Sequence, residues 1–503
     1  MFIHTTTNSP SVVRAMRGAN CRRRRRIISL RLLQLSKQHI TVATAWQGPG
    51  SQVVVLRDAA RDFERPVIEA MTNTRFTSPS FARVGIFSVI GAVLGLWSAL
   101  AVSAPESTGT LKFALLQDPA GPGARTPHLA VDGTGGVLLS WLEPYADRKN
   151  WRLKYSRYHS GAWQTPRVVA EGDSWFINWA DFPSVVALSQ QRLAAHWLAK
   201  RDGGVYAYDV MISQSLDDGK SWSPPASPHD DGTSTEHGFV SLFPWRGEAG
   251  VIWLDGRETQ SVGEQTGAPG HSGHHGGMTL RYGLLGADNA ALEESLVDGL
   301  VCDCCQTDAA VAGDQALIVY RNRTDREIRD IFFTRMGPRG WSDPQPVAND
   351  DWEMPACPVN GPALDMTADT AAVAWFTAAQ GNARVQVAFS DATGFAAPAV
   401  IDANDPLGRV DIVLIDDHTA VVSWLGAADR DGRAALRVAF VDRETGKLAE
   451  LSLHSLAASR LAGFPQAARS AGGLLFAWTE PEEPSRIRTG FLAIPDGYLD
   501  SLR

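Results

Sequence analysis

Cysteine is scarce in this chain, with five residues among 503. So low a count excludes a small scaffold in which many disulfides take the place of a hydrophobic core. Three of the five nevertheless fall within four positions, Cys302, Cys304 and Cys305, in the stretch VCDCCQTD. The other two are Cys21 and Cys357. A rare residue concentrated in this way indicates a local site.

The chain also lacks an excess of positive charge. Lys and Arg number 47 against 55 Asp and Glu, which gives a net charge of −8. Nucleic-acid binding needs clustered cationic side chains that neutralise phosphates, so we expect no nucleic-acid partner. Charged residues make up 20% and apolar residues 44% of the chain, which is typical of a globular protein rather than a disordered one.

The N-terminal part has the pattern of a targeting segment. Basic residues precede the apolar run Val84–Leu100, and Ala99-Leu100-Ala101 fits a small-x-small cleavage site. We therefore expect a signal peptide at 71–104, and we interpret 1–70 as a misassigned start or a disordered extension. An uncleaved signal segment acting as a membrane anchor is the alternative, and it is the one membrane contact that we expect. Export predicts a periplasmic or secreted protein, in which disulfides can form.

The remainder, 105–503, repeats one unit seven times. Each copy contains a short apolar strand that ends in an aromatic residue, as in GGVLLSWLE and HTAVVSWLG, and the copies lie 49 to 67 residues apart. Repeats of this period built only from strand signals predict an all-β propeller in a single domain. We expect seven four-stranded blades, with six blades as the alternative. The repeated aromatic residues are Trp141, Trp197, Trp253, Tyr320, Trp375, Trp424 and Trp478.

A lone strand precedes the first repeat, and the last repeat stops after its third strand. The segment TLKFALL, residues 110–116, is therefore expected to supply the missing outer strand of the last blade and to close the ring without an open edge. Tryptophan is abundant, with 16 residues against eight Tyr. One large ring for each blade, packed between neighbouring sheets, accounts for this surplus.

Most chemically distinctive residues fall in connections on one face of the predicted ring. In a propeller, the loops between strands B and C and the crossovers between blades lie on one face, and the A–B and C–D turns lie on the other. Function usually resides in loops at one end of a rigid scaffold, so we expect the functional site on the first face. The residues assigned to it include the four late cysteines, His237, His271, His274, His275, Met278, Asp255, Arg257, Glu258, Arg321, Arg323 and Arg409.

The cysteine cluster has two interpretations. Export favours two disulfides among Cys302, Cys304, Cys305 and Cys357, with the pairing left open. The alternative is a metal site, because soft thiolates combined with His and Met ligands suit copper(I) or zinc. The ligands would be Cys302, Cys304 and Cys305 with His271, His274 and Met278 from the neighbouring loop GHSGHHGGM. No cofactor is otherwise required.

The fourth repeat departs from the pattern, because Tyr320 replaces Trp and is followed by Arg321, Asn322 and Arg323. A charged side chain beside the axis must be paired or must face a polar ligand. The planar fork of Arg suits carboxylate or phosphate. The two interpretations are an anion-binding site and an internal network with nearby acidic residues such as Asp303.

A hairpin in the second repeat reads SLDDGKSW, which matches the motif S-x-D-x-G-x-[ST]-W at Ser215, Asp217, Gly219 and Trp222. Asp217 is expected to cap its own turn, Gly219 to adopt a positive φ, and Trp222 to pack back into the blade. On this motif and the repeats, the chain resembles the sialidase-like, Asp-box (BNR-repeat) propeller superfamily.

The resemblance implies an exo-α-sialidase-type glycoside hydrolase or a binder of an anionic sugar, acting as a monomer. Sialidases hold the substrate carboxylate with arginines, pair a Tyr nucleophile with a Glu, and use an Asp as acid/base. On the matching face, the anion would be bound by Arg257, Arg321, Arg323 and Arg409, the nucleophilic pair would be Tyr320 and Glu258, and the acid/base would be Asp255. The alternative function is a non-catalytic periplasmic binding module with a copper or zinc site.

Overall fold

Seven antiparallel sheets form a ring in the computed structural model, which describes residues 110–259, 276–337 and 339–503. The innermost strand of each sheet contacts the innermost strand of the next, and the last contacts the first, so the ring is closed. The ring lies within the unit Leu100–Arg503. The predicted extension at 1–70 and signal peptide at 71–104 lie outside the described residues and stay predictions. No helix among the described residues has both the length and the apolarity needed to cross a bilayer.

Blades one to three follow the chain in order, each with its first strand at the axis. Blade two has three strands, and Ala226 adds a single bridge to the outermost of them. The strands are β2 (Arg125–Val131), β3 (Val137–Pro144), β4 (Trp151–His159), β5 (Ala162–Trp163) and β6 (Arg167–Gly172) in blade one; β7 (Ser184–Ala187), β8 (Leu193–Lys200) and β9 (Tyr208–Ser215) in blade two; and β10 (His237–Trp245), β11 (Glu248–Asp255), β12 (Thr279–Leu285) and β13 (Ala291–Asp298) in blade three.

Blades four to seven repeat the arrangement. Three short 3-10 turns, Arg257–Thr259, Ala379–Gly381 and Arg460–Ala462, and one C-terminal helix, α1 (Tyr498–Leu502), lie in the described connections and tail. The strands are β14 (Asp308–Ala312), β15 (Gln315–Arg321), β16 (Ile331–Gly337), β17 (Gly340–Trp341) and β18 (Gln345–Pro346) in blade four; β19 (Ala363–Met366), β20 (Ala371–Thr377), β21 (Arg384–Phe389) and β22 (Ala399–Asp402) in blade five; β23 (Gly408–Leu414), β24 (Thr419–Leu425), β25 (Arg433–Asp442) and β26 (Gly446–Ala457) in blade six; and β27 (Gln466–Ser470), β28 (Gly473–Glu480) and β29 (Arg486–Ala493) in blade seven.

The N-terminal strand closes the ring as predicted. Strand β1 (Lys112–Leu115) pairs antiparallel with β29, placing Lys112 opposite Ala493 and Leu115 opposite Gly490. This pairing makes β1 the outer strand of blade seven, so that the two ends of the chain share one sheet. The prediction of seven blades closed by this strand is confirmed, and the alternative of six blades does not apply.

The repeated aromatic residues form the core between blades, and several bind a carboxylate through their polar edge. Trp253 donates its indole N–H to Asp255 at 2.7 Å, and Trp141 donates to Glu143 at 3.1 Å. Three further acceptors belong to the preceding blade. They are Asp298 for Tyr320, Asp350 for Trp375 and Asp402 for Trp424, at 2.6 to 2.8 Å. A buried Trp or Tyr needs a partner for its polar edge, so these carboxylates join neighbouring blades.

The innermost strands enclose an axial cavity of about 380 Å³. Three aspartates face it, and each accepts a backbone N–H from the next blade at 2.6 to 2.8 Å: Asp308 from Leu364, Asp365 from Leu414, and Asp411 from Ala467. Burial raises the pKa of Asp308 to about 7 and that of Asp411 to about 8, and it also raises the pKa of Asp365. The bonds link successive blades around the axis.

Because these carboxyls hold protons in the folded state, we expect the free energy of unfolding to fall as the pH rises from 6.5 to 8.5. In this range the folded state holds protons that unfolded carboxyls, with pKa values near 4, have already released, so that raising the pH favours unfolding. Burial holds the pKa of His128 at about 4 and that of His196 at about 3, so these histidines oppose the trend below pH 6.5 and are neutral above it. Melting temperatures measured across this range check the slope. Asp411→Asn, which cannot ionise, should flatten it, and a slope of opposite sign would contradict the assignment.

Candidate functional site

Four cysteine sulfurs gather on the predicted functional face, which we call the upper face. The sulfurs of Cys302, Cys304 and Cys305 all lie within 4.8 Å of one another. The Cys302 and Cys305 sulfurs are 3.2 Å apart. The thiol of Cys357, from the crossover between blades four and five, interacts with that of Cys304, which lowers the pKa of Cys357. Two separate crossovers therefore contribute to one cluster.

The two crossovers are held together by a hydrogen bond between a side chain and the backbone. The side-chain Oε1 of Gln306 accepts the backbone N–H of Gly361 at 3.0 Å. A Cβ at Gly361 would lie 2.2 Å from the backbone oxygen of Gln306, so a larger residue cannot occupy this position without displacing the crossover. The backbone N–H of Cys302 also donates to the carbonyl of Arg321 at 3.0 Å. Hydrogen bonds thus hold the backbone that carries the cysteines. Cys302 and Cys305 are buried, and Cys357 is exposed.

Arg329 provides the positive charge beside the cluster. Its Nη1 lies 3.3 Å from the sulfur of Cys302, and its guanidinium also binds Glu327 at 2.8 Å and Asp303 at 3.4 Å. Burial raises the pKa of the Cys302 thiol, but hydrogen bonds with the neighbouring thiols and the charge of Arg329 outweigh it and hold the pKa well below its usual range. The arrangement favours a thiolate at Cys302.

The four cysteines are free thiols in the structure, and no pair within this described cluster is at S–S bonding distance. The predicted disulfides are therefore not formed here. Of the other proposed metal ligands, His271 and His274 lie outside the described residues. Met278 is buried in the same hydrophobic cluster against which Cys304 packs, and its carbonyl accepts the N–H of Val301. The role of Met278 as a metal ligand stays a prediction.

Arg321 is buried and satisfied by the backbone. It donates to the carbonyls of Asn360, Arg329 and Phe376 at 2.7 to 3.0 Å. Its guanidinium also lies 4.9 Å from the ring of Trp352. These contacts join blade four to the crossover that carries Cys357. They give Arg321 a structural role. All three guanidinium nitrogens already donate to backbone carbonyls and would have to leave them to bind an anion.

The other arginines proposed to bind an anion are also engaged by protein groups. Arg323 binds Glu327 at 2.6 Å and Asp303 at 3.0 Å, which is the internal network that was the second interpretation of this segment. Arg409 donates to the carbonyls of Ser459 and Gly463 and lies against Trp179. Arg257 binds Asp255 in a separate network at blade three. The structure therefore does not bring the four arginines together as one clamp, and their role in anion binding stays a prediction.

Two of the predicted catalytic residues, Tyr320 and Asp255, bind different partners. The hydroxyl of Tyr320 donates to Asp298 at 2.6 Å, the same pairing that other blades make with Trp. Burial, followed by the charge of Asp298, raises the pKa of Tyr320 far above its usual value. Asp255 accepts from Trp253 and Arg257, and Glu258 follows it in an exposed turn. Tyr320 and Asp255 thus have local partners that explain their positions.

A second group of acidic residues on the upper face was missed by the sequence analysis. Tyr208 donates its hydroxyl to Glu236 at 2.6 Å and lies 3.2 Å from Asp181. Burial raises the pKa of Asp181 to about 8 and that of Glu236 to about 7. The three residues come from three separate segments of blades two and three. No motif in the sequence links them, because their proximity follows from blade packing.

The segment 176–182 crosses the upper end of the axial cavity. Trp179 stacks on Phe464 of blade seven at 5.8 Å between ring centres, and the carbonyl of Ala180 accepts from Gln306 of blade four at 2.6 Å. Asp181 accepts the backbone N–H of Phe239 in blade three. The segment leads into blade two and contacts blades across the ring. It therefore spans the axis on this face.

The predicted hairpin of blade two lies on the opposite face and has turn chemistry. Asp217 accepts the backbone N–H groups of Lys220 and Ser221, and Ser215 accepts from Gly219, at 2.7 to 3.1 Å. Gly219 has φ +74°, and Trp222 packs edge-on against Tyr155. Hydrogen bonds from Ser221 hold the pKa of Asp217 at about 2. The contacts are local and structural.

Comparison with solved structures shows propellers of similar architecture. A protein of unknown function from Dyadobacter fermentans is 12% identical, covering 76% of this chain and 99% of its own, with a TM-score of 0.40. A microbial sialidase is 14% identical over 60% and 63%, with a TM-score of 0.36. A subtype N10 neuraminidase-like protein of a strain from a little yellow-shouldered bat in Guatemala is 10% identical over 76% and 98%, with a TM-score of 0.40.

A sialidase and a neuraminidase-like protein are thus among the solved structures to which the chain is similar. Identities of 10 to 14% concern the fold alone, and the assignment to a propeller rests on the strand pairing described above. No family model and no curated protein matches the chain.

Proposed function

We propose that this protein is an exported propeller that binds a thiophilic metal ion, copper(I) or zinc, through Cys302, Cys304, Cys305 and Cys357. One observation carries the proposal. Three cysteine sulfurs, those of Cys302, Cys304 and Cys305, lie within 4.8 Å of one another, and the thiol of Cys357 interacts with Cys304. Four thiolates form a standard ligand set for zinc, and soft thiolates also select copper(I).

The surroundings suit a metal-thiolate centre in charge and in access. Several thiolates around one ion carry excess negative charge, and Arg329 lies 3.3 Å from Cys302 to offset it. Asp303 and Glu327 are already paired with Arg323 and Arg329, so they add little net charge. Exposed Cys357 gives the ion an entry path, which a metal site requires.

Metal analysis combined with a thiol count tests the proposal. The mature protein would be purified from an exporting host without chelators, and its metal content would be measured by mass spectrometry. We expect at least one ion per chain, retained in His229→Ala protein, and four alkylatable thiols after chelation under denaturing conditions. Two disulfides with no bound metal would contradict the proposal and would leave the cysteines as a covalent brace around the two crossovers.

A second candidate is hydrolysis of an anionic sugar, as the resemblance to sialidase-like propellers implies. The observation that favours it is the short hydrogen bond between Tyr208 and Glu236, with Asp181 beside them. These are the residue types that a sialidase uses as nucleophile, base and acid, although they differ from those predicted. All four predicted arginines are already bound by protein groups. Metal binding is therefore the better-supported function.

Turnover of a fluorogenic sialoside tests this candidate. If Tyr208 is the nucleophile, Tyr208→Phe is expected to lower the rate at least about 100-fold. Tyr320→Phe serves as the matched control and is expected to retain activity, because Tyr320 donates to Asp298 as a structural pair. Absence of turnover in the unmodified protein, or equal loss in both variants, would exclude Tyr208 as a nucleophile.

A further inference from the structure

We propose a second metal site, outside the cysteine cluster, in which Asp209, His229 and His237 bind a divalent ion of the zinc type between blades two and three. Asp209 is the second residue of β9, His229 lies in the crossover that leaves blade two, and His237 begins β10. One donor atom from each of the three lies within 4.8 Å of the others. The site goes beyond the proposed function and shares no residue with it.

The donor atoms face one another. Nε2 of His229 lies 3.9 Å from Oδ1 of Asp209, and Nδ1 of His237 lies 3.7 Å from the same oxygen. The two imidazole rings are stacked, with centres 3.9 Å apart. Zinc requires donor distances of about 2.0 to 2.2 Å, so binding would draw the three side chains together and rotate the two stacked rings toward one ion.

Asp231 orients both histidines from the opposite side. Its Oδ2 lies 3.1 Å from Nδ1 of His229 and 3.1 Å from Nε2 of His237. The backbone N–H of Thr233 donates to Oδ1 at 2.9 Å and fixes the carboxylate. A carboxylate that binds the far nitrogen of a histidine is the usual outer partner of a metal-bound imidazole, because it sets the tautomer. Here a single carboxylate performs this role for two rings.

This orientation leaves lone pairs that need a cation. Asp231 is an acceptor for one nitrogen of each ring, and a neutral imidazole that donates its single N–H there has none at its other nitrogen. Nε2 of His229 is buried, with no hydrogen-bond partner among the described residues, and the His229 side chain is 2% exposed. Nδ1 of His237 faces two oxygens, Oδ1 of Asp209 and the carbonyl of Tyr208 at 3.3 Å. A buried polar atom without a partner calls for a ligand, and one cation would satisfy both nitrogens.

The charge and access of the cleft agree with a divalent cation. Carboxylates outnumber guanidinium groups by one in the network of ion pairs around the histidines. Its members are Asp209, Asp231, Asp255, Glu294, Arg201, Arg257 and Arg281. The side chain of Asp209 is 19% exposed, and Arg201 binds it from the outer edge. An ion can therefore enter beside Asp209, and a water could occupy its fourth position, as in three-ligand zinc sites.

Cobalt(II) titration of chelator-treated full-length protein tests the site without removing the cysteines. Cobalt bound to thiolates absorbs strongly in the near ultraviolet through charge transfer, whereas cobalt bound to nitrogen and oxygen lacks this band. We expect two binding events, one without charge transfer. His229→Ala should abolish that event and leave the other unchanged. Asp231→Asn should weaken it about 10- to 100-fold.

Two further variants keep the test decisive. Asp209→Asn keeps the shape of the side chain and should also abolish the event, which covers the case in which His229→Ala does not fold. The exposed His159→Ala is the matched control and should bind as the unmodified protein does. Detection of thiolate-bound cobalt alone, or retention of the second event in both His229→Ala and Asp209→Asn, would overturn this site while leaving the cysteine site intact. Loss of the charge-transfer band alone would count against the cysteine site.

Discussion

Replacing Cys304 by serine is expected to lower the affinity for copper(I) or zinc at the cysteine cluster by more than about 100-fold. Cys304 lies within 4.8 Å of the Cys302 and Cys305 sulfurs and interacts with Cys357, so its loss removes a ligand that joins the two crossovers. Even a change in the outer shell of a metal site costs about 10- to 100-fold, and loss of a ligand should cost more. Competition with a chromophoric chelator measures the change.

The matched control for this prediction is Ala356→Ser, which introduces the same hydroxyl beside the exposed Cys357 and removes no sulfur. It should bind metal with unchanged affinity. An affinity in Cys304→Ser within a few-fold of the control would contradict a four-cysteine site. Such a result would show that Cys304 packs against the other thiols without binding the ion.

Replacing Arg321 by methionine is expected to lower the free energy of unfolding by about 3–5 kcal/mol, because three buried carbonyls lose their donor. The carbonyls belong to Asn360, Arg329 and Phe376, which lie in three different segments. Methionine keeps an unbranched side chain in place of the stem, so the loss reports on the guanidinium, including its contact with Trp352. Thermal and denaturant unfolding measure the effect.

Arg326→Met is the control for Arg321, since Arg326 is exposed on the same loop. It should change the free energy of unfolding by less than about 0.5 kcal/mol. The comparison separates a structural arginine from an anion ligand. Loss of sugar binding with unchanged stability would contradict the structural role and would restore Arg321 to the predicted anion clamp.

The fold was predictable because its signals repeat. Seven strands ending in Trp or Tyr are separated by similar lengths of chain, and each copy reinforces the others. The strand at Lys112–Leu115 was predictable as well, since the last repeat lacks its outer strand. The acceptors Asp298, Asp350 and Asp402 also repeat, at intervals of 52 residues, and this signal would have shown that Tyr320 belongs to a structural series.

The sequence predicted the face of the propeller on which the site lies better than it predicted the contacts between the residues of the site. The sequence placed the cysteines and the Arg321 segment on one face, and the structure brings Cys357 to the other three cysteines. The sequence could not show that Arg321 is bound by backbone carbonyls. Every residue has a backbone carbonyl, so this kind of contact has no sequence signal. Asp209 and His229 were missed for a related reason, since 20 residues separate them and blade packing joins them.

X-ray absorption at the metal edge tests the central claim most directly. The sample would be His229→Ala protein loaded with one equivalent of zinc, so that the second proposed site does not contribute. A single four-cysteine site predicts a shell of sulfur atoms at about 2.3 Å. A shell of nitrogen and oxygen alone at about 2.0 to 2.1 Å, or protein that binds no zinc with its cysteines reduced, would contradict it.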